Sequence, residues 1–407
     1  MWQRLHLAVA SLLVFTASGS CNALAQSKYD VGASDSEIKI GNILAYSGPV
    51  SSLGVIGKVE AAYFRKINDE GGINGRKINF ISYDDAYSPP KTVEQARKLV
   101  ESDEVLLIFN PVGTPTNAAI QKYMNSKKVP QLFVGGGATR WNNPTEFPWT
   151  IGFQPNYQTE GRIFAQYVLN AKPDARIAVL YQNDDLGKDY LKGLKDGLGS
   201  KSSMIIMEES YEISEPTVDS HIVKMRASGA DVFVSIALPK GAAQSIRKVS
   251  EIGWKPLFIL SSIGASIGTV IRPAGFENAQ GIISTVYLKD PSDQQWANDE
   301  AKQRFDAFIA KYAPDADKND YFVVYAYVAS QTMVKVLEQC GNNLTRANVM
   351  QQASNLKDFK PEMLLPGIVI NTSPSDFAPM KGMRTVRLQG ERWETFGDVM
   401  SSSDPGN

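Results

Sequence analysis

Two loops of this chain combine residue types that suit the capture of an anion. Gly113-Thr114-Pro115-Thr116 sits where an apolar run gives way to a helical pattern, and Gly135-Gly136-Gly137-Ala138-Thr139 follows the next apolar run. Backbone N–H groups at a helix N-terminus lack intrahelical partners and carry the positive end of the helix dipole, so a carboxylate entering either loop would find donors. Thr114 and Thr116 can cap the helix, and the glycines allow close approach of the backbone. The same residues also read as tight turns whose glycines only satisfy backbone angles.

Equipment for covalent chemistry is sparse. The sequence holds no P-loop, no G-x-G-x-x-G after its first strand-like run and no G-x-S-x-G elbow. It has two histidines, and His221 in Val218-Asp219-Ser220-His221 reads as a surface or capping residue at the start of a helix. Clustered metal ligands are absent from the pattern, so neither a metal nor a cofactor is expected, and the chain does not read as an enzyme. Lys and Arg total 42 against 43 Asp and Glu, a balance that gives no drive toward nucleic acid or an anionic membrane.

The N-terminus reads as an export signal over residues 1–25. Arg4 supplies the positive start, Leu7 to Phe15 an apolar stretch, and Ala23-Leu24-Ala25 a cleavage site that leaves Gln26 first. The apolar stretch is shorter than the roughly 20 residues needed to span a bilayer, so a soluble exported protein is expected. Lipidation at Cys21 is the rival reading, although Ser18-Gly19-Ser20 precedes it where a Leu-like residue is usual. Cleavage after Ala25 leaves Cys340 as the only cysteine and rules out an intrachain disulfide.

The elements that must position the two loops alternate strand and helix. Strands are expected at 37–44, 77–83, 105–109 and 131–134, with helices at 54–70, 91–101 and 116–126 between them. A second series follows Phe153-Gln154-Pro155, with strands at 176–181, 204–211, 231–236 and 256–260 separated by helices. Such repetition predicts two parallel sheets. Segments 294–312 and 321–338 read as amphipathic helices that could return to the first lobe, and 368–396 as short strands with turns.

Ser47-Gly48-Pro49, the run Asn68-Asp69-Glu70-Gly71-Gly72-Ile73-Asn74-Gly75-Arg76, Tyr83-Asp84-Asp85 and Gly113-Thr114-Pro115-Thr116 occur here in an order and spacing that resembles the periplasmic leucine/isoleucine/valine-binding proteins. The resemblance spans about 37–398. It implies an α/β fold of the type I periplasmic binding protein, in which two doubly wound parallel-sheet lobes joined by a three-crossing hinge close on a ligand. Implied lobes are 36–155 with 287–362, and 156–286 with 363–398, leaving 399–407 as a disordered tail. The crossings fall near 153–157, 285–289 and 361–367.

From the resemblance, Thr114, Gly136, Ala138 and Thr139 would cradle a ligand carboxylate, with Arg140 either adding a charge contact or solvated at the rim. Tyr46 would offer an aromatic wall or pack in the core, Trp141 is a comparable candidate, and Phe153 and Gln154 could contact ligand or pack the hinge. In the second lobe the family's cleft tyrosines are replaced by Leu186 and Leu238, and its ammonium-pairing acid by Ser262. Asp184 and Asp185 stand near enough to supply negative charge. A buried ammonium without an anion is costly, so an amine-free aromatic or apolar acid competes with a leucine-like amino acid. The implied role is solute binding for the membrane permease of an ABC importer, by a monomer. A ligand sensor with the same cleft is the alternative.

Overall fold

The computed structural model describes residues 28–401 and arranges them as two α/β lobes. In the first, a five-stranded parallel sheet runs in the order Lys77–Asp84, Glu37–Leu44, Leu107–Phe109, Gln131–Val134, Thr150–Gly152. Its central strand Leu107–Phe109 is apolar along its length because helices cover both faces. Ile43 and Ile108 point toward Ala96, Ile120 and Met124 on one side, whereas Ile40, Leu107 and Phe109 meet Val59 and Phe64 on the other.

The second lobe carries a seven-stranded sheet. Ile205–Tyr211, Ile177–Gln182, Val232–Ile236, Leu257–Leu260 and Ile283–Val286 are parallel neighbours in that order. The antiparallel hairpin Gly382–Gln389 and Arg392–Ser401 then extends the edge, Ile283 standing opposite Arg387. The last strand runs to Ser401, so residues 399–401 are ordered by ladder pairing instead of forming the start of a loose tail. Backbone pairing to a neighbouring edge leaves no periodic mark in a segment whose own side chains are mixed. Residues 1–27 and 402–407, including the export signal and Cys21, lie outside the described residues.

Between these strands the chain returns to the first lobe. Helices Glu300–Tyr312 and Tyr321–Cys340 pack on helix Val55–Asp69 through Tyr63, Phe308 and Tyr327, whose rings lie 5.1 to 5.4 Å apart. The two chain segments linking the lobes there are bonded to each other: Lys289 N–H donates to the Met363 carbonyl at 2.8 Å, and Leu365 N–H to the Tyr287 carbonyl at 3.0 Å. Given the strands each sheet contains, we propose lobe boundaries at 36–155 with 287–362, and 156–286 with 363–401. Cys340 is a buried free thiol, and among the described residues no helix is long and apolar enough to cross a membrane.

One buried carboxyl lies inside the first lobe. Glu60 is fully enclosed; Asn42 Nδ2 reaches its Oε2 at 3.3 Å, while Oε1 has no partner. Burial pushes its pKa well above the usual carboxylate range. A carboxyl that holds its proton more tightly folded than unfolded contributes stability below its unfolded pKa and loses it as pH rises through the window above. Glu60→Gln should therefore stabilise the fold by about 1–2 kcal/mol near neutrality, with a smaller gain at pH 5. Urea unfolding of both proteins across pH 5 to 8 checks this, and a gain that did not grow with pH would contradict it.

Candidate ligand-binding cleft

The cleft takes shape where strand ends of both sheets face each other, and the Tyr83-Asp84-Asp85 motif builds part of its wall. Asp84 Oδ1 accepts the backbone N–H of Tyr46, Ser47 and Ala86 at 2.8 to 3.1 Å. Asp85, wholly buried, accepts from Tyr87 N–H at 2.8 Å and from the Thr92 hydroxyl at 2.7 Å. The two carboxylates hold Ala86 and Tyr87 at φ 51° and 60°, a left-handed conformation uncommon for such residues. That turn sends the Tyr87 ring into the cleft, where its buried hydroxyl lies near Gln182 and Asp184 of the opposite lobe without closing a hydrogen bond.

The Gly113 loop comes next. Gly113 has φ +113°, and a Cβ there would stand 2.6 Å from the Tyr87 ring and 2.5 Å from Thr116 Oγ1. Glycine is thus required twice over, by backbone angle and by space. Asn117 Nδ2 ties the loop down through the carbonyls of Pro111 and Gly113 at 2.9 and 2.7 Å. Thr114 heads helix Thr114–Lys127, and its buried Oγ1 makes no hydrogen bond.

The glycine loop supplies the opposite side of the same recess. A Cβ on Gly136 would stand 3.3 Å from Thr114 Oγ1, 3.3 Å from the Tyr157 hydroxyl and 3.6 Å from Trp141 Nε1. Without that side chain, three polar groups converge on a small space, and Thr114 Oγ1 and Trp141 Nε1 are both buried and unpartnered. Buried donors are nearly always hydrogen-bonded, and these two surround one point without an acceptor. Gly137 lets the first crossing approach, since a Cβ on it would come within 2.2 Å of the Pro155 carbonyl.

Next to this recess the lobes enclose a space that both of them line. Leu53, Ile56, Tyr87 and Val112 face it from the first lobe, Leu186, Leu238, Ser262 and Ile263 from the second, and Gln154, Tyr157, Tyr321 and Phe322 from the crossing and the returning helix. Behind the second wall lies a carboxylate that sequence reasoning missed. Glu160, wholly buried in helix Tyr157–Ala171, accepts from Ser262 N–H at 2.7 Å, Ser262 Oγ at 2.9 Å, Thr285 Oγ1 at 2.7 Å and the Tyr190 hydroxyl. Burial raises its pKa, with those donors pulling the other way. Since the Ser262 proton is directed at Glu160, its lone pairs remain for a ligand donor.

Other residues singled out in the sequence are engaged elsewhere. Tyr46 turns from the cleft toward Ser82, its hydroxyl 2.6 Å from Oγ, because Gly57 leaves room for it over helix Val55–Asp69. Thr116 Oγ1 bonds to the carbonyls of Val112 and Gly113, and the Ala138 carbonyl accepts from Trp141 N–H at 3.1 Å. Thr139 N–H donates across the cleft to Asp189 at 2.6 Å. Phe153 packs in the core against Phe133 and Tyr325, leaving Gln154 to line the space. Asp185 pairs with Arg140 at 2.8 Å at the exposed rim, and Asp184 caps helix Asp185–Leu198 through the N–H of Leu186 and Gly187. His221 sits on the second lobe between Glu209 and Glu215, at 2.8 and 3.0 Å. Tyr87, Tyr157 and Tyr321 were missed; only the strand-end position of Tyr83-Asp84-Asp85 hinted at the first.

A family model described as periplasmic binding protein matches residues 37–392. The chain is similar to the Leu/Ile/Val-binding protein homolog 1 of Brucella abortus (strain 2308), 25% identical over 352 residues covering 83% of this chain and 91% of that protein. It superimposes on a branched chain amino acid ABC transporter structure from Thermus thermophilus with bound valine at TM-score 0.79 and 15% identity, over 91% of this chain and 98% of the other. A fatty acid ABC transporter substrate-binding protein from Thermomonospora curvata matches at TM-score 0.78 and 18% identity, over 93% and 95%. With the family match running through both sheets and the loops that enclose the cleft, this chain belongs to the periplasmic binding protein family.

Proposed function

We propose that this protein is the exported solute receptor of an ABC importer, cleaved after Ala25, and that it carries a small apolar monocarboxylate to a membrane permease as a monomer without altering it. The observation that carries the reading is the pair of buried, unpartnered donors at Thr114 Oγ1 and Trp141 Nε1, joined by the Tyr157 hydroxyl around the vacant side-chain position of Gly136. A carboxylate there would turn unmet hydrogen-bonding groups into charge-assisted bonds. Thr114 and Gly136 keep the roles given to them by the carboxylate cradle, with Trp141 and Tyr157 replacing Ala138 and Thr139.

The body of the ligand is set by what surrounds it. Tyr87, Tyr157, Tyr321 and Phe322 suit a flat or branched apolar group. No Asp or Glu lines the space: Asp184 caps a helix, Asp185 faces Arg140, and Glu160 is already met by four donors. An ammonium would lack a free anion, which favours an amine-free acid. The second reading is a branched-chain amino acid, favoured by the names of the relatives and by Ser262, whose lone pairs could accept from an amine.

Thermal melting of ligand-stripped protein with benzoate, phenylacetate, cinnamate, leucine and valine separates them. A ligand at about 100 times its Kd stabilises by about 2.7 kcal/mol. Stabilisation by the amine-free acids is expected; a response confined to amino acids would transfer the assignment to the second reading, and silence from all would remove the carboxylate site. Thr114→Val should weaken the acid by about tenfold, the loss of one hydrogen bond to a charge, while the melting temperature of the empty protein stays level or rises. Unchanged affinity in titration calorimetry would exclude Thr114 from the site.

A further inference from the structure

A second, smaller cavity lies beside the cleft, and Tyr321 lines both spaces. Its wall is largely apolar, built from Ala265 and Ile267 of the second lobe, Val286 and Leu288 of the chain passing between lobes, Val324 of the returning helix and Trp393 of the terminal hairpin. Trp393 Nε1 fixes that wall by donating to the Ala265 carbonyl at 2.7 Å. Only one turn of helix separates Tyr321 from Val324, so a molecule seated against the first and passing its ring would meet the second.

Asp290 also lines this cavity, with the Trp393 N–H nearby. Asp290 Oδ1 accepts from Ser292 N–H at 2.9 Å and Ser292 Oγ at 2.7 Å, whereas Oδ2 is buried and has no partner. An acceptor enclosed beside apolar walls costs free energy unless a donor meets it. Lys289, which also lines the cavity, bonds to Asp299 at 2.9 Å and lies over the Trp296 ring. Tyr321 is half-buried between the two spaces, its ring edge-on to Tyr287 at 5.8 Å with the two hydroxyls close to each other.

We propose that the second cavity receives the distal end of an elongated apolar monocarboxylate: the acid group at Thr114 and Trp141, the chain passing the Tyr321 ring, and a terminal hydroxyl donating to Asp290 Oδ2. This rests on the carboxylate reading of the cleft and extends it from ligand charge to ligand length.

Titration calorimetry on the ligand-stripped chain, comparing phenylacetate with phenylvalerate and nonanoate with ω-hydroxyoctanoate, tests each part. Binding should tighten about tenfold or more from phenylacetate to phenylvalerate as methylenes leave water. The hydroxy acid should bind more tightly than nonanoate, which has the same number of heavy atoms along its chain. Val324→Phe, which fills the cavity, should abolish the gain with length. Equal affinity for short and long phenyl acids in the unaltered protein overturns the second cavity alone, and tighter binding of nonanoate than of the hydroxy acid overturns the Asp290 contact. Absence of binding by every acid, short ones included, overturns the carboxylate reading and this inference together.

Discussion

The near-contact between the Pro155 carbonyl and the backbone of Gly137 is the constraint on which the cleft depends. It brings the first crossing onto the end of the fourth strand of the first sheet, with Tyr157 N–H donating to the Gly137 carbonyl at 2.8 Å. From there the chain enters helix Tyr157–Ala171, capped by Asn156, and one turn places Tyr157 at the recess and Glu160 behind the opposite wall. Any side chain at position 137 would force these apart, and the hydroxyl, the carboxylate and Ser262 would lose their common reference.

Acidic groups in and around the cleft follow a consistent division of labour. Asp84, Asp85 and Asp184 accept backbone N–H groups and so shape turns and a helix start, while Glu160 gathers four donors from three different segments. None of them presents a free oxygen to the enclosed space. The basic side of the ledger is equally bare, since Arg140 is turned to Asp185. On the carboxylate reading, recognition would fall to neutral dipoles, hydroxyl and indole N–H groups, which count for more when buried than in water.

Much of the architecture was legible because it rests on local pattern. Alternating apolar runs and helical stretches give two parallel sheets, and the motif spacing points to the family. The second-lobe residues Leu186, Leu238 and Ser262 were reached through the resemblance, by asking what replaces the family's polar contacts, and the structure brings all three to one wall. First-lobe details were less accessible. Tyr46 and Tyr87 both follow strand ends, and only the left-handed turn at Ala86 and Tyr87, itself held by buried carboxylates, decides which ring enters the cleft. Similarly, Phe153 and Gln154 are neighbours whose facing depends on how the crossing sits against Phe133 and Tyr325. Glu160 was invisible because its partners lie 30, 102 and 125 residues away. The terminal hairpin needed an edge to pair with, which no single segment advertises.

At one part of the rim the lobes are joined by Arg140 to Asp185, Thr139 to Asp189, and Asn142 to Asp376 and Phe377, and elsewhere by Arg272 to Asp317 and Thr269 to Asp320. Arg140 and Asp185 remain about 34% and 55% exposed, and ion pairs so placed contribute about 0–1 kcal/mol. A latch of that strength opens readily by thermal motion. At that point the outer edge is a door that shuts without locking, and under the proposed role the interior, not this part of the rim, would set how long a solute stays.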